Sequence, residues 1–196
     1  MDLMINAKKC KSLIIRQSHK CQELSLEGVK QVSTLNILGV TYNEKGNWNS
    51  HVESITKRAS RRLYALRILR PTLSNKHLQL IYNALLRSIL EYCSPLFLGI
   101  TRTASNRLEA VQTRFHKLLC GRGCEKNCLE DLESRRRRMS LRLLSRMMKD
   151  EQHILNQFLP SIAVSGRFIL ATRRTSRRCK AFIPLICEIY NTLHKR

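Results

Sequence analysis

Leu35-Asn-Ile-Leu-Gly-Val-Thr-Tyr-Asn-Glu-Lys-Gly-Asn-Trp-Asn-Ser-His51 opens the stretch that decides the fold, and a long basic segment carries it on to Arg70. Leu35 to Val40 is a short apolar run of β-type residues with Gly39 inside it. A glycine in a strand marks the close approach of another backbone or a ligand. Asn43-Glu-Lys-Gly46 supplies turn chemistry. Ser50 and Glu53 have the spacing of a capping box, which predicts a helix start. Beyond it Val52, Ile55, Ala59, Leu63, Leu66 and Leu69 recur at steps of three and four, one buried helical stripe. Lys57, Arg58, Arg61 and Arg62 fall outside that stripe, and Pro71 ends the helix. The stretch therefore reads as a strand, a turn anchored by Trp48, and an amphipathic helix with a basic face.

Upstream, Leu13-Ile-Ile15 predicts a short buried strand, and Leu24, Leu26, Val29 and Val32 alternate on either side of a turn at Gly28. These segments with Leu35 to Val40 predict one small antiparallel sheet with no helix to cover it. Downstream everything reads as helix. A second helix starts near Ser74 with Leu78, Ile81, Tyr82, Leu85, Ile89 and Tyr92 on one stripe, closed by Pro95. A third carries Leu108, Val111, Phe115 and Leu118 up to Gly121 and Gly123. A fourth has Asn127 and Glu130 as a cap pair, with Glu130, Asp131 and Glu133 where the helix dipole favours acids. It continues through Arg135 to Met147. A short helix is expected around Ile154 to Phe158, an irregular arginine-rich stretch over Ser161 to Lys180, and a last helix starting at Pro184. The fold class is mainly α, a helical bundle preceded by a small β remnant.

Charge narrows the function. Across 196 residues, 36 Lys and Arg stand against 14 Asp and Glu, a net charge of +22. Charge of this size attracts polyanions, and phosphate contacts dominate nucleic-acid affinity. It is spread over several helices, which points to nucleic acid rather than to a single membrane-surface anchor. The most apolar stretch, Leu85 to Ile100, is interrupted by Arg87, Glu91 and Pro95, so no membrane span is expected. No secretory signal is read at the start, where Lys8, Lys9 and Lys11 interrupt any apolar run. The eight cysteines are accordingly expected as thiols of an intracellular protein, nuclear or cytoplasmic.

Two clusters carry candidate chemistry. His116, Cys120, Cys124 and Cys128 recur at intervals of four and are natural zinc ligands, although two tight pairs separated by a long spacer are not present. Sporadic small thiols, buried or exposed, explain most such runs. Arg135, Arg136, Arg137 and Arg138 wrap a helix, so at least one must turn toward the core and find an acid such as Glu130 or Glu133. The block is either a solvated helix with i,i+4 pairs or a second phosphate-contacting surface that Arg173, Arg174, Arg177 and Arg178 extend.

Several motifs, in order and over nearly the whole chain, carry a resemblance. They are Ile5-Asn-Ala-Lys-Lys-Cys-Lys11, Ile37-Leu-Gly-Val40, Trp48 with His51, and Ile81-Tyr-Asn-Ala-Leu-Leu-Arg-Ser-Ile-Leu-Glu-Tyr-Cys-Ser-Pro95. Gly121-Arg-Gly123, Leu129-Glu-Asp-Leu-Glu-Ser-Arg135, Ser165-Gly-Arg-Phe168 and Arg174-Thr-Ser-Arg-Arg178 follow. The chain resembles the C-terminal part of the reverse transcriptase of a non-LTR retrotransposon. That resemblance implies three parts: residues 1–47 as the edge of the palm, 48–120 as a thumb-like helical bundle, and 121–196 as an arginine-rich helical region. It implies a primer-grip-like turn at Leu38, Gly39 and Val40, although the usual aromatic before the turn is Ile37 here. Lys9 aligns with a lysine that in relatives is thought to protonate the leaving pyrophosphate; an ordinary solvated lysine is the other reading.

The family polymerises DNA with Mg2+ held by paired carboxylates. This chain has only Asp2, Asp131 and Asp150, widely separated, so it is expected to hold no such metal and to be inactive alone. The resemblance implies a fragment of an RNA-directed DNA polymerase that binds RNA and DNA as template–primer duplex, with the rest of the polymerase as a further partner. Lys57, Arg58, Arg61 and Arg62 are the expected phosphate contacts, which position a duplex without reading its sequence. The alternative is a free-standing helical interaction module that descends from the enzyme and binds zinc.

Overall fold

A computed structural model of the chain describes residues 6, 9–15, 28–121, 129–172 and 180–194. They form a mainly α fold with a small amount of β structure, and the chain divides into two compact units, Met1–Ser54 and Ile55–Arg196.

In the first unit β1 (Lys11–Ser12) pairs in parallel with β2 (Lys30–Gln31), and β3 (Thr34–Ile37) pairs antiparallel with β4 (Val40–Asn43). The single antiparallel sheet expected from the sequence is thus two separate two-stranded ones. Leu13 and Ile14 are half-buried and Ile15 is exposed, so the predicted strand there shrinks to the pair just before it; Leu24 and Leu26 lie outside the described residues. Leu35 to Val40 is not one strand. The chain reverses at Leu38 and Gly39, whose φ angles are 49° and 80°, and Ile37 pairs with Val40. Two central residues with positive φ make the turn whose twist suits a hairpin. Gly39 is therefore a turn residue, and Leu38 stands beside it in a conformation that L side chains avoid.

The hairpin and the helix start are joined by side chains within this unit. α1 (Asn49–Leu69) begins where Val52 N–H donates to Trp48 O at 2.9 Å. The helix thus starts a residue ahead of the Ser50–Glu53 capping box, and the cap lies upstream. Asn47 Oδ1 accepts from Asn49 N–H at 3.1 Å, and Asn43 Oδ1 accepts from Asn47 N–H at 3.1 Å. The Asn43 amide also donates to Asn47 Oδ1 at 3.0 Å and to Ser50 Oγ at 3.1 Å. His51 is buried and its Nδ1 accepts from Thr41 N–H at 3.3 Å. Trp48 packs on Tyr42 with ring centroids 5.3 Å apart. Tryptophan and histidine three residues apart serve here to hold a hairpin against the first turn of a helix.

α1 continues into the second unit, where Ile55, Ala59, Leu63 and Leu66 are buried as the stripe predicts; Leu69 is exposed. A 3-10 turn at Arg70–Thr72 leads to α2 (Asn75–Ile81), capped by Ser74 Oγ, which accepts from His77 N–H at 3.3 Å. The helix then widens into a π segment over Tyr82–Arg87 before α3 (Ser88–Glu91). A π segment takes more residues per turn than an α-helix. This shifts the buried set to Leu78, Tyr82, Leu86, Ile89 and Leu90, and puts Leu85 and Tyr92, expected inside, at the surface. Cys93, with φ 52°, ends the helix ahead of Pro95.

α4 (Arg102–Cys120) is capped by Thr101 and closed by Gly121, at φ 78°. Tyr82 stacks on Phe115 of α4 at 4.1 Å between ring centroids, and its hydroxyl donates to Gln112 Oε1 at 2.6 Å. Gln112 in turn donates to Glu130 O at 3.0 Å, so the buried polar atoms form a closed chain.

α5 (Leu132–Lys149) takes Asp131 as its cap, with Ser134 N–H donating to the carboxylate at 2.7 Å. The helix therefore starts later than the Asn127–Glu130 cap predicts, and Asn127 itself lies outside the described residues. A 3-10 turn at Asn156–Phe158 stands where a short helix is expected. α6 (Phe182–Leu193) starts two residues before Pro184. Proline is tolerated there because the first-turn N–H groups have no helical partner. Leu144, Phe168, Ile186 and Cys187 form a core cluster of α5, α6 and the segment between them. The Asn191 side chain completes it, accepting from Phe168 N–H and donating to Phe168 O, both at 2.9 Å. Gly99 sits where Lys180 passes, its missing Cβ only 2.4 Å from Lys180 O.

Candidate nucleic-acid interface

The turn of about 100° per residue in an α-helix sorts the side chains of α1. Opposite the buried stripe lie Lys57, Arg61, Tyr64 and Ile68. Arg58 and Arg62 lie on one flank, and Ser60 and Arg67 on the other. All five of these cations are exposed. They are not equivalent. Arg62 donates to Leu85 O at 3.2 Å, a carbonyl of the π segment, which fixes it against the neighbouring helix. Among the described residues Arg58, Arg61 and Arg67 form no ion pair. Arg70, at the helix end, is structural: it donates to Leu118 O at 3.1 Å, Leu73 O at 3.1 Å and Asn75 Oδ1 at 2.9 Å.

The arginine block of α5 is bonded to protein throughout. Arg135 grips Glu91 through both Nε and an NH2 group, the latter at 2.9 Å, and these bonds hold its guanidinium above the usual range. Arg136 is the buried member, 2 % exposed. It meets Ser105 Oγ at 3.1 Å and lies over the Phe97 ring at 5.7 Å, with no carboxylate in hydrogen-bonding contact among the described residues. Burial pulls its guanidinium below the usual range, and the negative charges of Glu133 and Glu109 oppose the shift. Arg137 pairs with Glu133 at 2.9 Å, and Arg138 pairs bidentately with Glu130 at 2.5 and 2.7 Å. Bonding to Arg138 holds the Glu130 carboxyl below the usual range. Arg173, Arg174, Arg177 and Arg178 lie outside the described residues.

The remaining candidates are dispersed. In the first unit Lys9 is exposed and its N–H donates to Asn6 O at 3.0 Å. Leu38 and Gly39 form the exposed tip of the hairpin, and Val40 is buried at its base. In the second unit His116 and Cys120 share a face of α4, Nε2 to Sγ 3.7 Å. Cys124 and Cys128 lie outside the described residues, so their position relative to that pair is not described. Among the described residues no three His, Cys, Asp or Glu side chains are grouped to hold a metal.

The described aspartates do not fit the Mg2+ site of a polymerase. Asp131 caps the start of α5 and Asp150 lies just past its end, with its carboxylate accepting from Gln152 N–H at 3.0 Å. Eighteen residues of helix separate them, about 27 Å at 1.5 Å per residue.

A groove between α1 and α4 is lined by Leu63, Tyr64 and Arg67 on one side and Arg114, Lys117 and Leu118 on the other. Arg114 and Lys117 are three apart on a helix and so share a face, a signal the sequence carries, but the pairing of that face with α1 is tertiary. No protein-family model, no curated protein and no solved structure matches this chain.

Proposed function

We propose that the chain is a non-catalytic fragment derived from a retrotransposon RNA-directed DNA polymerase, and that it binds nucleic-acid duplex through its backbone without reading sequence. The observation that carries this reading is the cationic outer face of α1. Lys57, Arg58 and Arg61 are exposed there, whereas the arginines of α5 already face protein acids or the core. A net charge of +22 attracts a polyanionic partner. Backbone contacts of this kind carry no sequence information.

Fluorescence anisotropy with RNA–DNA and DNA duplexes of several sequences tests this. Weak, sequence-blind binding that falls steeply with salt is expected; a strong preference for one sequence contradicts it. Primer extension on a primed RNA template with Mg2+ or Mn2+ should give no product.

The adjacency of His116 and Cys120 favours a second reading, a helical interaction module that binds zinc. Stoichiometric zinc in the purified chain, released with loss of helicity by a chelator, would support it over the first.

A further inference from the structure

The groove between α1 and α4 combines features that a duplex-contacting surface does not need. Its floor is apolar, from Leu63 and Leu118, and its walls carry Arg67, Arg114 and Lys117. All three cations are exposed, and among the described residues none is ion-paired. Tyr64 stands among them with 67 % of its surface in water. Among the described residues no acid lines the groove. Arg70 fastens its far end, bonding Leu118 O of α4 at 3.1 Å, so the two walls are held at a fixed spacing.

A cationic groove with an exposed aromatic ring is the arrangement that holds unpaired nucleotides, the charges following the backbone while the ring stacks on a base. Arg70 bridges the end of α1 to α4, so the walls cannot part to admit a duplex between them. A base inside a duplex already has neighbours on both faces and offers nothing to Tyr64. We infer that the α1–α4 groove binds single-stranded nucleic acid, with Tyr64 stacking on one base and Arg67, Arg114 and Lys117 holding the flanking phosphates. This rests on the reading that the chain binds nucleic acid. It adds a second mode beside the duplex face, with which it shares the outer side of α1, but Lys57, Arg58 and Arg61 do not line the groove.

The test uses the full chain and oligonucleotides of about ten nucleotides, within the usual site size. These are single-stranded RNA, single-stranded DNA and a blunt duplex, with 2-aminopurine placed in the strands as a stacking reporter. Tyr64→Ala should weaken single-strand binding by about tenfold or more and abolish the quenching of 2-aminopurine. It should leave blunt-duplex affinity within about twofold, and Tyr64→Phe should keep both signals, since the ring is retained. The triple change R67Q, R114Q, K117Q should flatten the single-strand salt slope by about 2, near 0.7 per lost contact. The RNA and DNA arms show which strand is preferred, and the inference stands for either. Equal losses on single strand and duplex, or an unchanged single-strand affinity in Tyr64→Ala, overturn it while leaving the duplex reading intact. No binding to any oligonucleotide overturns both.

Discussion

Leu38 occupies the first central position of a two-residue hairpin turn with φ 49° and is 86 % exposed. Asparagine or glycine is the usual residue there, because only those tolerate positive φ cheaply. Leu38→Asn should therefore stabilise the chain by up to about 1 kcal/mol, read as a higher urea midpoint with unchanged slope. A lower midpoint would mean that the leucine side chain makes a contact worth more than the strain. Tyr82 gives a second test at this scale. Its hydroxyl is buried against Gln112, and burial pushes its pKa from 10.0 up to about 12. The folded state therefore keeps the phenol neutral where the unfolded chain ionises it. Its contribution is fully present below about pH 10 and is lost as pH rises toward 12, at about 1.4 kcal/mol per pH unit for one proton. Tyr82→Phe should cost about 1–3 kcal/mol near neutral pH by leaving Gln112 Oε1 without its donor. The variant's extra destabilisation should shrink above pH 10. A constant difference across that range would mean that the phenol does not carry the shift.

Between α3 and α5 the bidentate contact of Arg135 with Glu91 ties two helices 44 residues apart in sequence. Arg135→Met leaves a mostly buried carboxylate whose remaining cation among the described residues is Arg87, 3.8 Å away, and should cost about 1–3 kcal/mol. Arg136→Met acts differently. It removes a buried guanidinium that has no bonded acid, so stability should change by less than about 1 kcal/mol or rise. Thermal or urea unfolding of the two variants checks the ranking, and a costlier Arg136→Met would place the structural charge one residue further on. The sequence foretold that the block must turn one arginine inward, since four in a row wrap the helix. It did not show which, because Glu91 and Ser105 come to α5 only through tertiary packing. The same limit explains the other departures. The stripes of α1 and α4 were legible because an uninterrupted α-helix keeps its period. The π segment at Tyr82–Arg87 changes that period, and nothing in the local sequence announces it. Gly39 was legible as a special position, but a leucine beside it hid a turn that asparagine would have revealed.

For the whole molecule, the proposed binding depends on which cations are exposed and which are bonded to protein. Composition alone revealed the excess of +22, and periodicity placed Lys57, Arg58, Arg61 and Arg62 away from the core. Neither showed that Arg62 is bonded to Leu85 O, that Arg135 to Arg138 face protein partners, or that Arg67 joins Arg114 and Lys117 across a groove. Those depend on which helices become neighbours. The most direct test is the salt dependence of binding to a blunt B-DNA duplex, measured for the parent chain and two variants. One changes Lys57, Arg58, Arg61 and Arg62 to Gln, the other changes Arg135 to Arg138 to Gln. With about six phosphates covered, log K for the parent should fall with log salt at a slope near −5. The α1 variant should lose affinity and flatten the slope by about 2, one unit each for Arg58 and Arg61, because Arg62 and Lys57 are already engaged by protein groups. Its unfolding should barely move. The α5 variant should keep most of the affinity and slope but unfold more easily. Binding lost on changing Arg135 to Arg138, and kept after the α1 change, would contradict the account.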